Sequence, residues 1–315
     1  MIELKKNVFG ALIIGLVVFE MVGAEECAHS KWGEDDEIGA ANYVNPSQII
    51  MATKLVKKGK SHGLGIVIEP GMPAFPPRYL QLQAIENHLG DPEKLYGWPV
   101  TIHDDILQTW LGLGPQIDGL GHAGESGNFY NCNKGSNFRL TTGLAKLGIE
   151  KIPPLIGRGI LLDMTKYFDT ENMTSGQPIT SKDIRSAAKN QGVTFKDGDV
   201  ILFHTGWTDA MLRSEPEAWV SSEPGITNEA AAFIASLNPM AVGADTWGLG
   251  AVPPIEGDRV FYDHVILLKE NGIYILETMN TGTLAEEGVH EFMFVLGQAK
   301  IKGAVQMMIN PIAIW

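Results

Sequence analysis

Positive charge is in short supply in this sequence. Its 315 residues carry 24 lysines and arginines against 37 aspartates and glutamates, a formal net charge of −13. No Lys/Arg stripe offsets that balance, so a phosphate backbone would be repelled, and nucleic acid is excluded as a partner. Cysteine is scarcer still, with only Cys27 and Cys132. In an oxidising compartment the two can pair, and closing so long a loop stabilises a fold by about 4–5 kcal/mol in the entropy account; otherwise they stay as two separate thiols. There is no Ser/Gly linker, internal repeat or low-complexity tract. There is also no Gly-x-Ser-x-Gly elbow, because Gly124-Glu125-Ser126-Gly127 has the wrong spacing, which argues against a serine hydrolase. What remains is an ordinary globular composition, 44% hydrophobic and 19% charged, with enough apolar material for a full core.

Only one apolar run stands out, Val8 to Phe19, interrupted by Gly10 and Gly15. Lys5 and Lys6 precede it, and Val22-Gly23-Ala24 follows with the small residues a signal peptidase reads. The run falls short of the roughly 20 residues needed to span a bilayer. The expectation is a signal peptide over residues 1–24 and a single domain over 25–315. The mature chain is then secreted or periplasmic, with no stable membrane association. Glu20, directly after the run and inside the 1–24 segment, leaves an uncleaved anchor as the alternative.

Pro46-Ser47 is expected to open a helix, capped by Ser47 and ending at Gly59. Leu64 to Ile68 reads as a short strand. Pro70, Pro73, Pro76 and Pro77 then make a stiff loop around Phe75. Short apolar runs at Gly159 to Met164, Val200 to Phe203, Ala241 to Gly243, Val265 to Leu267 and Ile273 to Leu276 read as buried strands. Between them, Thr180 with Asp183 forms a capping box, and Thr227 caps an Ala-rich stretch ending near Leu237. Strands alternating with helices predict an α/β domain, a mixed sheet covered by helices.

Two stretches carry chemistry. Gly112 to His122 places Gln116, Asp118 and His122 among four glycines, which let a backbone turn tightly and approach a ligand. The bland alternative is a turn with a solvated imidazole. Gly119-x-Gly121-x-x-Gly124 also matches a dinucleotide fingerprint, but loop-forming residues follow where a helix should open. Downstream, His264 and Glu277 flank Asn271-Gly272, and the pattern predicts a hairpin bringing the two residues to one end. A carboxylate closing an apolar strand needs a compensating cation, either a metal ion or a Lys/Arg partner. Asp118, His264 and Glu277 together offer one nitrogen and two carboxylates, suited to zinc or manganese with positions left for water. Asp245 ends another buried strand and either orients a ligand or serves a turn.

These motifs occur in a particular order. Trp32-Gly33-Glu34-Asp35-Asp36-Glu37-Ile38-Gly39 comes first, then the proline loop, Gly114-Pro115-Gln116-x-Asp118-x-x-x-His122, Thr205-Gly206-Trp207, Gly243-Ala244-Asp245-Thr246, and His264 with Glu277. The order resembles the cyclase family that includes kynurenine formamidases, isatin hydrolase and trans-dienelactone hydrolase. The resemblance covers nearly the whole chain after the leader. It implies a swivelling β/β/α fold, a homodimer and a divalent metal, zinc or manganese. The implied reaction is hydrolysis of a small cyclic or aryl amide, lactam, lactone or ester. On that resemblance Asp118, His264 and Glu277 are metal ligands, helped by the carbonyl of Gln116. His122 transfers the proton of a metal-activated water, its unperturbed pKa of about 6.5 suiting the task. Phe75, Tyr130, Trp207 and Trp247 are candidate walls for a flat substrate. The chain departs from the family's His-x-Gly-Thr-His-x-Asp-x-x-x-His where Gly112, Pro115 and Gln116 stand in for His, Thr and His. That departure weakens metal binding, and it motivates two other readings. One is a catalytically silent, exported small-molecule-binding protein on the same scaffold; the other is a lyase or isomerase indifferent to chelators.

Overall fold

Four apolar runs make the middle of the fold, because parallel strands covered on both faces have no solvent side to furnish with polar residues. The computed structural model describes residues 27–86 and 92–315, so the expected signal peptide lies outside the described residues. Its main sheet has nine strands. They are β1 (Ser61–Gly63), β2 (Gln116–Asp118), β3 (Leu155–Asp163), β4 (Val200–His204), β5 (Ala241–Ala244), β6 (Tyr274–Glu277), β7 (Glu291–Leu296), β8 (Gln306–Met308) and β9 (Ile312–Ile314). Across the sheet they run β1-β9-β7-β3-β4-β5-β6-β2-β8. The centre from β3 to β6 is parallel, and both flanks are antiparallel. Every residue of β4, β5 and β6 is buried. On β7 the pattern alternates instead, with Phe292, Phe294 and Leu296 buried and Glu291 exposed, as one-sided burial requires.

The helices follow their caps. Thr180 and Asp183 close a reciprocal box on the helix Ser181–Gln191, and Thr227 accepts the Ala230 amide at the start of Asn228–Ser236. The first helix differs from expectation at both ends. Asn45, not Ser47, accepts the Gln48 amide, Pro46 takes the first helical position, and the helix stops at Thr53. The strand expected over Leu64 to Ile68 is also absent; β1 lies just before it, paired with β9.

The expected hairpin before Glu277 is overturned. Residues Tyr262–His264 form one α-helical turn that runs into a π-helical segment, Val265–Glu270. Val265 to Leu268 are all buried, and a fully buried apolar run carries no periodicity to tell helix from strand. Asn271-Gly272 is the end of this helix: Gly272 takes φ +64°, its amide reaches Leu268 O, and Ile273 N reaches Leu267 O.

A two-stranded antiparallel ribbon, Leu80–Glu86 with His103–Thr109, stands outside the main sheet. Leu82, Ile85, Ile106 and Leu107 on it are exposed. Among the described residues no helix is long and apolar enough to cross a membrane.

Cys27 and Cys132 are joined, their Cα atoms 5.7 Å apart. Next to the bridge, the Asn131 amide donates to the carbonyls of Gly33, Glu34 and Asp36, and its oxygen accepts from Ser30 N. The leading segment is therefore tied both covalently and by a polar clamp. Cys132→Ser should lower the unfolding free energy by about 2–5 kcal/mol, the usual cost of losing a native bridge. Denaturant melts of wild type with and without reductant should show the same loss, and melts that coincide would mean the bridge contributes nothing.

Candidate functional site

The register of three strands builds the centre of the site. On β2, Gln116 and Asp118 are two residues apart and so share one face. Glu277 on β6 lies opposite Gln116, and Gln306 on β8 lies opposite Asp118. Cross-strand neighbours project together, so four polar side chains meet on one face of an otherwise apolar sheet. The Gln306 amide donates to Asp118 Oδ1 at 2.6 Å. The Gln116 amide nitrogen donates to Glu277 Oε2 at 2.5 Å and reaches Asp118 Oδ1 at 3.3 Å. Gln116 thus turns its nitrogen, not the expected carbonyl oxygen, towards the two acids.

Two imidazoles complete the group. His122 follows β2 through a turn closed by His122 N to Gly119 O, and His264 ends the α-helical turn before the π-helix. Asp118 is fully buried. Its Oδ2 has no hydrogen-bond partner, and it faces His122 Nε2 at 3.7 Å and His264 Nε2 at 3.6 Å. These three donor atoms lie within 4.8 Å of one another. His264 Nε2 is also 3.1 Å from Glu277 Oε1, while its Nδ1 sits 3.0 Å from Asp263. A carboxylate on the far nitrogen fixes the ring and its tautomer, the arrangement a metal-binding histidine uses. Asp263 was not foreseen, and its only signal in the sequence is that it precedes His264.

An orphaned carboxylate oxygen inside a protein is costly, and here its nearest neighbours are nitrogen donors. A divalent cation fits: oxygen and nitrogen donors are spaced as ligands around one ion are, and a cation removes the unpaired charge.

The charges show what the cluster lacks. Burial, then the Asp118 carboxylate, pushes the Glu277 carboxyl up to about 7. Burial, then Glu277, also raises Glu223 well above the carboxylate range. At His264, burial opposes the charge, but Asp263 and Glu277 outweigh it and hold the imidazole pKa well above its ordinary value. His122 goes the other way: burial, helped by His264 and Arg78, lowers it despite Asp118.

The glycines around this cluster mostly make room for the chain's own groups. A Cβ at Gly112 would lie 2.4 Å from Gln306 Oε1, and one at Gly119 would lie 2.7 Å from Val305 O. Gln306 therefore uses space that a side chain at 112 would need.

A cavity of about 690 Å³ opens onto His122, His264 and Glu277. Phe75 and Trp247 line it and stack, with ring centroids 5.5 Å apart at 28°. Phe261, missed in the sequence, packs edge-on against both Phe75 and His264. The other two aromatic candidates lie elsewhere. Tyr130 is buried with its hydroxyl on Ser30 and Asp36, and Trp207 is buried with its indole N–H towards Trp219 O. Asp245 serves a turn, accepting from Thr205 N, Thr205 Oγ1 and Gly206 N.

Fold and site together define an α/β protein with a carboxylate–imidazole centre, suited to a divalent cation, under an aromatic cavity. The chain belongs to the cyclase family: residues 62–251 match the family described as "Putative cyclase". That stretch contains Asp118 and His122 and stops short of His264 and Glu277. A crystal structure described as a novel cyclase is 29% identical with a TM-score of 0.81, covering 90% of this chain and 98% of its own. Isatin hydrolase A from Ralstonia solanacearum is 16% identical with a TM-score of 0.61, covering 81% and 91%. A structure described as a potential metal-dependent hydrolase with cyclase activity is 17% identical with a TM-score of 0.51, covering 81% and 98%. The last two show likeness of fold. No curated protein matches the sequence.

The shifted groups make cation binding proton-linked. His264 and Glu277 are both raised, so the cation-free native state holds more protons than the unfolded chain. Their contribution to stability should fall as pH rises, from about pH 4.5 to 7 for Glu277 and above about pH 6.5 for His264. A divalent cation bound through these two groups would reverse that trend and bind more tightly as pH rises, because both would give up protons to it. Thermal melts of chelator-treated protein across this range, with and without added cation, test the linkage, and pH-independent binding would rule it out.

Proposed function

We propose that this chain is a metal-dependent hydrolase that cleaves a small cyclic or aryl amide or ester. The observation that carries the reading is the orphaned Asp118 Oδ2 between two imidazole nitrogens, buried behind an aromatic cavity that His122, His264 and Glu277 line. Asp118, His264 and Glu277 hold one divalent cation, zinc or manganese. Two buried carboxylates that repel one another are neutralised by one doubly charged ion, which is the reason for including Glu277. When bound, such an ion supplies Lewis acidity to a carbonyl and makes water more acidic.

The remaining steps belong to the chain. Phe75 and Trp247 stack against a flat substrate and keep water from its faces. Gln116 and Gln306 fix the two carboxylates, and Asp263 fixes the His264 ring. His122 is the most exposed member of the cluster, and its lowered pKa keeps the ring uncharged at neutral pH. It takes a proton from the attacking water and returns it to the leaving nitrogen or oxygen. A second arrangement, in which His122 is the third ligand and Glu277 carries the proton, is favoured by the 4.8 Å grouping of Asp118, His122 and His264.

Three variants test these. His122→Ala should keep its metal and lose about 10²–10⁴ in turnover, whereas Glu277→Ala and Asp118→Ala should lose metal and activity together. Metal lost in His122→Ala and kept in Glu277→Ala would establish the second arrangement. The assay is hydrolysis of N-formylkynurenine, isatin, lactones and lactams, with chelation and zinc or manganese added back. Activity untouched by chelators would favour a lyase or isomerase. Absence of both metal and activity would favour a silent binding protein.

The same proposal includes export and self-association. The Cys27–Cys132 bridge suits an oxidising compartment, and the exposed apolar ribbon suits pairing with a second copy. Protein recovered from outside the cytoplasm of its native host should begin near Glu25 and sediment as a dimer. An intact Met1 on cytosolic protein would end the first idea, and a monomer at micromolar concentration the second.

A further inference from the structure

Two guanidinium groups line the cavity, and their situations differ. Arg259 pairs with Glu125 at 3.2 Å and stacks over the Tyr262 ring at 3.4 Å, and Lys269 shares Glu125 at 3.4 Å. Among the described residues Arg78 makes one hydrogen bond, from Nη1 to the Gly112 carbonyl. Among the described residues no carboxylate lies within ion-pair distance of it. It is nonetheless only partly exposed, and it stands close enough to bear on the charge of both His122 and Glu277.

Its position is built in. Pro76 and Pro77 restrict the backbone leading to it, and the turn from Arg78 N to Phe75 O, 3.0 Å, puts guanidinium and phenyl ring on one wall. Phe75 in turn stacks on Trp247. The wall therefore offers an aromatic shelf with a charged, planar, multi-donor group beside it. A guanidinium has five N–H donors, and its fork matches a carboxylate in two parallel bonds. In a chain of net charge −13, a cation facing a cavity without an acidic partner is free to take one from a ligand.

We infer that Arg78 selects the substrate class: flat aryl compounds that carry a carboxylate in addition to the bond being cleaved, the carboxylate seated on Arg78 and the ring on Phe75 and Trp247. The inference deepens the hydrolase reading and rests on it for the cleaved bond alone, because anion recognition at Arg78 needs no turnover.

The test has an arm for each. Formanilide and 3-formamidobenzoate differ by one carboxylate, and wild type should prefer the second in kcat/KM. In Arg78→Gln that preference should fall about tenfold to a hundredfold, chiefly through KM, as for loss of a charge-assisted pair. Arg78→Lys should recover part of it. Independently of turnover, chelator-treated wild type should bind benzoate more tightly than benzamide, followed by calorimetry, and Arg78→Gln should lose the difference. Wild type without any carboxylate preference, or Arg78→Gln retaining it, overturns the inference. If neither formamide is hydrolysed while benzoate still depends on Arg78, the hydrolase reading fails and anion recognition stands.

Discussion

The arrangement of this protein turns on one buried carboxylate. Asp118 sits on the short strand β2 between β6 and β8, fully removed from water, with one oxygen held by two glutamine amides and the other unpartnered. Leaving such an oxygen without a donor costs about 1–3 kcal/mol or more for a charged group. The neighbouring elements converge on it. Two strands bring Glu277 and Gln306 into register, the turn after β2 brings His122, and the helical turn at 262–264 brings His264. Burial and then the neighbouring Asp118 push the Glu277 carboxyl up to about 7, a strain that a cation at that point would relieve.

Around this centre the chain separates support from access. Strands β3 to β6 form a parallel, largely apolar and buried base, with polar residues such as Asp163, His204 and Glu277 at their C-terminal ends. The polar face appears where the sheet turns antiparallel, at the end of β6 and on β2 and β8, because strands there need not be apolar on both sides. Glu223 accepts the amides of Trp247 and Gly248, so a buried carboxyl behind the cavity holds the backbone that carries one of its walls. The proline loop packs against that wall and adds Phe75 and Arg78 to it. Stiff loops on a rigid base are a common way to place binding groups.

Gly112 and Gln116, which stand where the family pattern has histidine, are tied into the rest of the molecule. Gln306 occupies the room beside Gly112, and Gln116 bridges the two acids with its amide nitrogen. Two neutral amides thereby do the orienting around Asp118. A third and fourth imidazole would instead have brought further ligand nitrogens to the same face. The departure from the family pattern is thus a coherent hydrogen-bonded set, consistent with a single cation position.

Much was legible in the chain alone, for physical reasons. Apolar runs too short for helices predicted β3, β4, β5 and β6, and side-chain oxygens at Thr180 and Thr227 marked helix starts, because both signals are local. Asp118, His122, His264 and Glu277 could be singled out because polar groups beside glycines or at the ends of apolar strands demand a reason. Other features were out of reach. Val265 to Leu268 is buried on all sides, so its helix had no period to betray it, and Asn271-Gly272 serves a helix end as readily as a hairpin. Tyr130 and Trp207 look in sequence like Phe75 and Trp247, and only packing sends the first pair into the interior and the second to the cavity. Gln306, Asp263 and Arg78 carry no mark of their own. Their roles arise from cross-strand register, a ring orientation and the absence of an acidic partner, which are relations between distant segments that exist only once the chain has folded.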